Sequence, residues 1–440
     1  MCKRKQSQLL LLLLLTFSML SGCGTSVAVK AEASTSEFIE ENSSSVPMTV
    51  ELSDAYLVEC AEDTQPPQAI ETEPAFEEYD ITLMALGDNL IHMGIVRTGM
   101  LADGSRNYSF LFEGISSFLD KADIKMINQE TPLAGNELGF HGYPLFNSPT
   151  EIGDAIVNAG FNVVLHASNH SADQGISGLD NCVAFWRTYP EVLLTGIHEP
   201  AQSREIPLLT IKDKTFAILN YTYGPNYGSA PDNLASRMDI LCNIDPQSKL
   251  IDFTTLNPQV IEDIKAAEEI ADMVIVCPHW GTEYATTPSS YQEAFAKQMT
   301  EAGADVIIGT HPHVVQPVRM IQADNGNTAL CYYSLGNYVS TQKNGQSMLE
   351  GMAWVTFHVT ENGISLSTED TGIIPLVCHY SSGPVRLKNV YLLEEYTEEL
   401  ATSHGIINYG GISFHLDDLT HWSEDILGEW VITADTALTN

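Results

Sequence analysis

From Ile81 onward the chain alternates short apolar runs with stretches of helical spacing, and this alternation restricts the fold more than any other feature. Residues 81–86, 124–127, 162–166, 215–220, 273–277, 306–308 and 329–333 read as strands. Between them, residues 151–159, 178–189, 258–270 and 289–302 carry helical periodicity, with Gly160 and Gly303 where C-caps belong. Such a pattern predicts an α/β domain whose sheet is covered by helices. After Gly336, residues 351–359 and 363–367 read as antiparallel strands closing the sheet, and residues from about 387 to 440 as a helical or mixed extension. No fixed-period repeat is present.

The ends of these strands are unusually polar. Residues 81–86 lead into Gly87-Asp88-Asn89, and 124–127 into Asn128-Gln129-Glu130. Strand 162–166 is followed by Ser168-Asn169-His170 with Asp173 and Gly175, and 273–277 by His279-Trp280-Gly281 with Glu283-Tyr284. Strand 306–308 runs into Gly309-Thr310-His311-Pro312-His313, and 329–333 into Ser334-Leu335-Gly336-Asn337. One such cluster means little, because Asp and Asn after a strand commonly form turns or cap the next helix. Isolated histidines are more often packed or surface residues, so His166, His198, His358, His379, His404, His415 and His421 receive no role. Six of the seven strands nevertheless end in ligand-type residues, in an architecture that gathers ligands beyond the carboxyl ends of its strands. That repetition predicts one shared site of carboxylate, amide and imidazole groups, a donor set suited to Mn, Fe or Zn. Only Cys277 lies near these motifs, which disfavours a thiolate zinc site.

Acidic residues outnumber basic ones 57 to 20, a net charge of −37, so nucleic acid is an unsuitable partner. A small anion held at a bound cation is not excluded, because the ion dominates the local field. Lys3, Arg4 and Lys5 precede an apolar run over 9–15, the pattern of an export signal too short to span a bilayer. Leu20-Ser21-Gly22-Cys23 resembles a bacterial lipobox, which implies lipidation at Cys23 and an extracytoplasmic, membrane-anchored protein. Residues 24–80 contain a single basic residue, Lys30, amid Ser, Thr, Glu and Pro, and read as a disordered, self-repelling tether. The expected organisation is therefore leader 1–23, tether 24–80, α/β domain 81–370 and C-terminal extension 371–440. Six further cysteines, Cys60, Cys182, Cys242, Cys277, Cys331 and Cys378, form no C-x-x-C pair and read mainly as buried thiols.

Taken together, the motifs between Ile81 and Val339 resemble the CapA-type family of bacterial poly-γ-glutamate capsule-synthesis proteins, related to calcineurin-like metallophosphoesterases. The resemblance implies a four-layer α/β/β/α sandwich with one or two divalent ions at one end of the sheets. By that resemblance Asp88, Glu130, Asn169, His279, His311 and His313 would be metal ligands, with Glu130 bridging. His170 would act as general acid or transition-state donor, oriented by Asp173. Trp280, Glu283, Tyr284 and Asn337 would shape the substrate pocket, and the loop 140–149, with His141, Tyr143 and Asn147, would contact substrate. The chain departs from the pattern in three places. Asp88-Asn89-Leu90 replaces Asp-x-His, with His92 further on; Glu130 replaces an Asp; and Ser168 replaces the first Asn of Asn-Asn-His.

Two functional expectations follow. One is a metal-dependent hydrolase or transferase of the metallophosphoesterase type, acting on a phosphorylated or γ-glutamyl envelope substrate. The alternative is a non-catalytic assembly or tethering factor in the capsule-synthesis machinery, using the same site to bind an envelope polymer. A two-lobed solute-binding lipoprotein fits less well, given the clustered histidines.

Overall fold

The computed structural model describes residues 76–200 and 205–439. The leader with Cys23, and the acidic segment as far as residue 75 with Cys60, lie outside the described residues. Sixteen strands follow in chain order: β1 (Tyr79–Asn89), β2 (Ile124–Asn128), β3 (Val163–Leu165), β4 (Leu193–Thr195), β5 (Leu208–Ile211), β6 (Lys214–Thr222), β7 (Cys242–Ile244), β8 (Ile251–Leu256), β9 (Met273–His279), β10 (Val306–Ile308), β11 (Val318–Gln322), β12 (Thr328–Tyr332), β13 (Asn337–Val339), β14 (Leu349–Thr360), β15 (Gly363–Ser381) and β16 (Arg386–Leu392).

They build two large sheets and one small hairpin, β7-β8. The first sheet has eight strands in the order β16-β15-β14-β1-β2-β3-β4, with β13 paired to the end of β1. In it β1, β2, β3, β4 and β13 run parallel, while β14, β15 and β16 are antiparallel. The second has six strands in the order β11-β12-β10-β9-β6-β5, parallel through its centre with antiparallel edges.

Side chains on a strand point alternately to opposite faces, and the central strands bury both. Ile81, Leu83 and Ala85 of β1 share one apolar cluster with Phe216 and Ile218 of β6 and Ile275 of β9, so these faces pack sheet against sheet. Phe216 meets Phe357 across that interface with ring centroids 5.3 Å apart. The intervening residues, Met84 and Leu86 or Val274 and Val276, belong to the cluster that packs against helices. The result is the four-layer α/β/β/α arrangement that the resemblance implied.

The four anticipated helices form as Glu151–Asn158, Gly175–Trp186, Pro258–Glu268 and Ser290–Ala302. Local chemistry accounts for their ends. Asn257 caps the third with Pro258 in its first turn, and Ser289 and Gln292 make a reciprocal capping box on the fourth. Gly303 ends that helix at φ 118°, a left-handed conformation open to glycine at little cost. The second helix begins three residues earlier than its apolar pattern indicates. Strands β4, β5, β7, β8, β11, β13 and β16 carry no legible run; several are three residues long and exist because a neighbouring strand offers hydrogen bonds.

The boundary read at residue 370 falls inside β15, which continues to Ser381 and pairs with β16. Residues 371–392 are thus sheet, and the remainder forms short helices against it. Cys182, Cys242, Cys277, Cys331 and Cys378 are buried free thiols. No helix among the described residues is long and apolar enough to cross a membrane.

This C-terminal layer carries a pH liability. His404 uses both ring nitrogens, one 2.9 Å from the Cys378 carbonyl oxygen and the other accepting the Ile406 N–H at 2.9 Å, which requires the neutral ring. Its neighbour His379 lies 4.6 Å away between ring centroids, with Nδ1 2.7 Å from the Tyr396 hydroxyl. Burial is the chief cause that lowers His404 to about 3 and His379 to about 4 from the usual 6.5. The unfolded chain therefore takes up these protons at higher pH than the folded one. Their contribution is complete above pH 6.5 and is lost as pH falls towards the folded values, by about 1.4 kcal/mol per pH unit for each histidine. In denaturant melts at about pH 7.5 and 5.5, the wild type should lose more stability than His404→Asn, whose amide can both donate and accept without titrating. Equal losses would remove His404 from the account.

Candidate metal centre

The carboxyl ends of the parallel strands of both sheets meet at one edge of the sandwich. Asp88, at the end of β1, is held from three directions. Asn128 Nδ2 donates to Oδ1 at 2.8 Å, the His311 backbone N–H reaches the two oxygens at 3.3 and 3.2 Å, and His313 Nδ1 lies 3.1 Å from Oδ2. Close backbone approach makes this possible. A Cβ on Gly87 would lie 2.0 Å from the Gly336 carbonyl oxygen, and one on Gly309 would lie 2.1 Å from that of Tyr333. His311 and His313 adopt φ values of 97° and 58°, a conformation that costs a non-glycine residue about 1 kcal/mol or more. Their contacts with Asp88 help to offset that strain.

Glu130 sits at the centre. It is 0% exposed, and neither carboxylate oxygen has a hydrogen-bond partner. Oε2 lies 3.9 Å from His313 Nδ1, while Oε1 lies 4.0 Å from His279 Nε2, so the two oxygens serve opposite halves of the site. On the far half, His279 Nε2 is 2.9 Å from Asn169 Oδ1, and His279 Nδ1 is 3.0 Å from the Thr310 hydroxyl. His311 stands between the halves, its ring 4.8 Å from that of His279 and 5.8 Å from that of His313, with Nδ1 buried and unpaired.

Charge explains why these residues fit a cation. Burial, and then the Asp88 carboxylate, raise the Glu130 pKa well above the usual range. Burial lowers His279 and His311 well below theirs, and neighbouring histidines lower them further. His313 is the exception: burial depresses it, but Glu130 and Asp88 outweigh burial and lift it to about 9. A buried carboxylate with no partner costs several kcal/mol unless a positive charge accompanies it. Asp88, Glu130 and His313 each offer a ligand atom, all within 4.8 Å of one another. The donor set is oxygen and imidazole nitrogen; Cys277 Sγ instead faces Met126 Sδ at 3.6 Å in the core.

All six residues expected as ligands converge here. His170 lies beside them with Nδ1 2.8 Å from Asp173 Oδ2, an oxygen that also accepts the Phe146 N–H at 2.8 Å. Glu283 and Tyr284 stand on an exposed lip, Tyr284 with its ring 6.0 Å from His313. Two expected substrate contacts are placed otherwise. Asn147 is buried and spends its amide on the backbone of Ala134, Gly135 and Gly139, because the loop needs internal hydrogen bonds. Asn337 is buried with Oδ1 3.1 Å from His313 Nδ1, and so supports that ring. Trp280, as expected of a pocket-shaping residue, lines a cleft beside His311, its Nε1 donating to the Tyr333 carbonyl oxygen at 2.9 Å. His141 and Tyr143 are exposed at the tip of their loop. His92, further along the first motif, accepts the Thr341 N–H on Nδ1 at 3.3 Å.

Sequence reasoning passed over the end of β6, the one anticipated strand with no ligand-type cluster. That end delivers Tyr223, whose ring lies 4.7 Å from that of His311, and Asn226, whose Oδ1 accepts from Asn169 Nδ2 at 3.0 Å. Asn226 therefore orients the Asn169 amide so that its oxygen faces His279. Its own amide nitrogen lies 3.5 Å from His170 Nδ1. Asn128 was also missed as the residue that holds Asp88, although it stands two positions before Glu130. On β14, Glu350 is buried with both oxygens unpaired, and burial, then Asp88, raise its pKa well above the usual range.

Elemental analysis of the purified protein should find a bound transition metal, lost in Asp88→Ala and His311→Ala; full retention in both would refute the ligand assignment. Asn226→Ala should weaken Mn²⁺ binding by about tenfold to a hundredfold in calorimetry. Asn226→Asp, which still accepts from Asn169, should recover most of it.

Comparison with known proteins places the chain among capsule-synthesis proteins. A family model described as "Bacterial capsule synthesis protein PGA_cap" matches residues 82–342. "PGA biosynthesis protein CapA" of Bacillus subtilis (strain 168) is 28% identical over 245 residues, covering 54% of this chain and 58% of that protein. "Capsule biosynthesis protein CapA" of Bacillus anthracis is 28% identical over 267 residues, covering 58% of this chain and 59% of that protein. The match thus spans less than two thirds of either relative. A solved structure titled as a putative 5'-nucleotidase from Staphylococcus aureus in complex with alpha-ketoglutarate aligns with 68% of this chain and 54% of its own, at 13% identity and a TM-score of 0.38. A score that low adds no argument about the fold. The family model, in contrast, takes in more than half of the chain and all six expected ligands, and this protein belongs to the bacterial capsule synthesis PGA_cap family.

Proposed function

We propose that this protein is a metal-dependent hydrolase or transferase of the metallophosphoesterase type that acts in the synthesis or export of an envelope polymer, poly-γ-glutamate or a relative. The observation that carries the reading is Glu130, a buried carboxylate with no hydrogen-bond partner, set between His313 and His279. Asp88, Glu130 and His313 would hold one divalent ion, Mn, Fe or Zn, and His279, Asn169 and His311 would complete it or share a second. The chemistry such an ion supplies is Lewis-acid polarisation of a phosphoryl or acyl oxygen and hydroxide at neutral pH.

The chain's own residues account for the rest. Asp173 engages His170 Nδ1 at 2.8 Å and fixes the ring against Phe146, 4.7 Å away between centroids. The remaining nitrogen, Nε2, is then the one free to give a proton to a leaving group. Tyr223 stays a neutral phenol, its pKa raised by burial and by Glu283, and can donate a hydrogen bond to substrate oxygen. The lipobox at Cys23 would keep this chemistry at the outer face of the cell membrane, where an envelope polymer is assembled.

One observation favours a second reading, a non-catalytic assembly or tethering factor. Asn89 donates to Gln129 Oε1 at 2.6 Å and Leu90 is buried, so the first motif offers the site Asp88 alone. The two readings differ in turnover. A panel of phosphoester and γ-glutamyl substrates with added Mn²⁺ should reveal hydrolysis that His170→Ala lowers by about two orders of magnitude or more. Polymer binding without turnover across the panel would select the second reading.

A further inference from the structure

We propose that the cleft on the β9 side of His311 is a subsite for a flat, apolar, uncharged or cationic group of the substrate. The proposal deepens the hydrolase reading by naming the substrate's non-reacting part. It rests on that reading for which group reacts, not for where the ring sits.

The cleft has a volume of about 570 Å³, and Tyr223 and His311 form the wall it shares with the metal centre. A group lodged here therefore lies directly beside a group held at the ion. Leu241, Phe253, Trp280 and Phe295 supply an apolar lining. Two of these rings have aromatic neighbours behind them. Trp280 is pinned through its Nε1 and stacks on Tyr333 at 6.1 Å, and Phe253 packs on Tyr223 at 5.7 Å. Rigid aromatic walls bind a planar apolar group with little loss of side-chain freedom.

The other argument is charge. Among the described residues that line the cleft there is no lysine or arginine, and Glu283 contributes a carboxylate. In a chain of net charge −37, that composition repels an anionic substituent and tolerates an ammonium or a neutral ring. A long polyanion is therefore the wrong occupant, and an aromatic or otherwise flat hydrophobic alcohol or amine is the right one. Phe253 and Tyr291, 44% and 47% exposed, are large apolar surfaces facing solvent at this cleft, ready to be covered.

The test holds the ring constant and varies its charge. Benzyl alcohol, benzylamine and benzoate would be titrated into the full chain by ligand-observed NMR, and phenyl phosphate and methyl phosphate by calorimetry with and without Mn²⁺. Benzyl alcohol and benzylamine should bind, with benzoate weaker by roughly tenfold or more. Phenyl phosphate should bind about tenfold tighter than methyl phosphate with Mn²⁺ present. Ser290→Trp, at an exposed position on the rim, should erase both preferences without changing the melting temperature. Where Mn²⁺ improves the binding of both phosphates, equal affinity for the two overturns the subsite, as does aromatic binding that ignores Ser290→Trp and Phe253→Ala alike. If Mn²⁺ fails to improve the binding of either phosphate while benzyl alcohol still binds and Ser290→Trp still blocks it, the subsite stands and the metal-phosphoryl reading falls.

Discussion

Asp88 and Glu130 are two buried carboxylates brought to one point by different strands, and the rest of the site is arranged around their shared need for positive charge. Asp88 satisfies part of that need through Asn128, His313 and the His311 backbone. Glu130 has no hydrogen bond at all, and meets His313 and His279 only at 3.9 and 4.0 Å. Where burial removes water, a carboxylate must hold a proton, meet a cationic side chain or bind a metal ion. Among the groups closest to the pair, imidazole is the only side chain able to carry a positive charge, and His313 is the one raised in pKa. A proton on His313 is therefore a poor substitute for an ion of higher charge, and the imidazole and amide donors that surround the pair are suited to such an ion.

This requirement also accounts for irregular backbone. Gly87 and Gly309 have no room for a Cβ, and His311 and His313 are held in a conformation that costs side-chain-bearing residues energy. All four lie where the ends of the two sheets are drawn together. A sandwich assembled for stability alone would have no reason to place strain and unpaired polar atoms at one edge, because each lowers the stability of the fold. The apolar contact between the sheets, from Ile81, Leu83 and Ala85 to Phe216 and Ile275, supplies the burial that offsets them.

The chemistry of the surroundings bears on the family relationship. Membership of a capsule-synthesis family invites the picture of a long anionic polymer lying across the protein. Neither the net charge nor the cleft beside His311 favours that picture. A small anionic group at an ion, joined to a flat apolar portion that rests on Trp280 and Phe253, fits the surface better. The carboxylates that make the centre selective for cations also keep other anions away unless an ion is in place.

The sequence alone determined the alternation of strands and helices, the helix-ending glycine at Gly303, and the polar clusters that follow six strands. These are local features: side-chain periodicity and the chemistry of chain reversal are written in neighbouring residues. That the polar clusters share one site was legible because parallel strands place their ends together, while the choice of Asp88, Glu130, Asn169, His279, His311 and His313 within them came from the family resemblance. Only the tertiary structure decided the rest. Asn147 and Asn337 have the residue type of substrate contacts, yet burial commits them to the backbone and to His313. Tyr223 and Asn226 follow a strand with no ligand motif, and their value comes from the proximity of His311 and Asn169. Strand β16 pairs with β15 although its own sequence carries no strand signal. In each case the deciding interaction joins residues far apart in the chain, and a contact of that kind has no signature in either segment taken by itself.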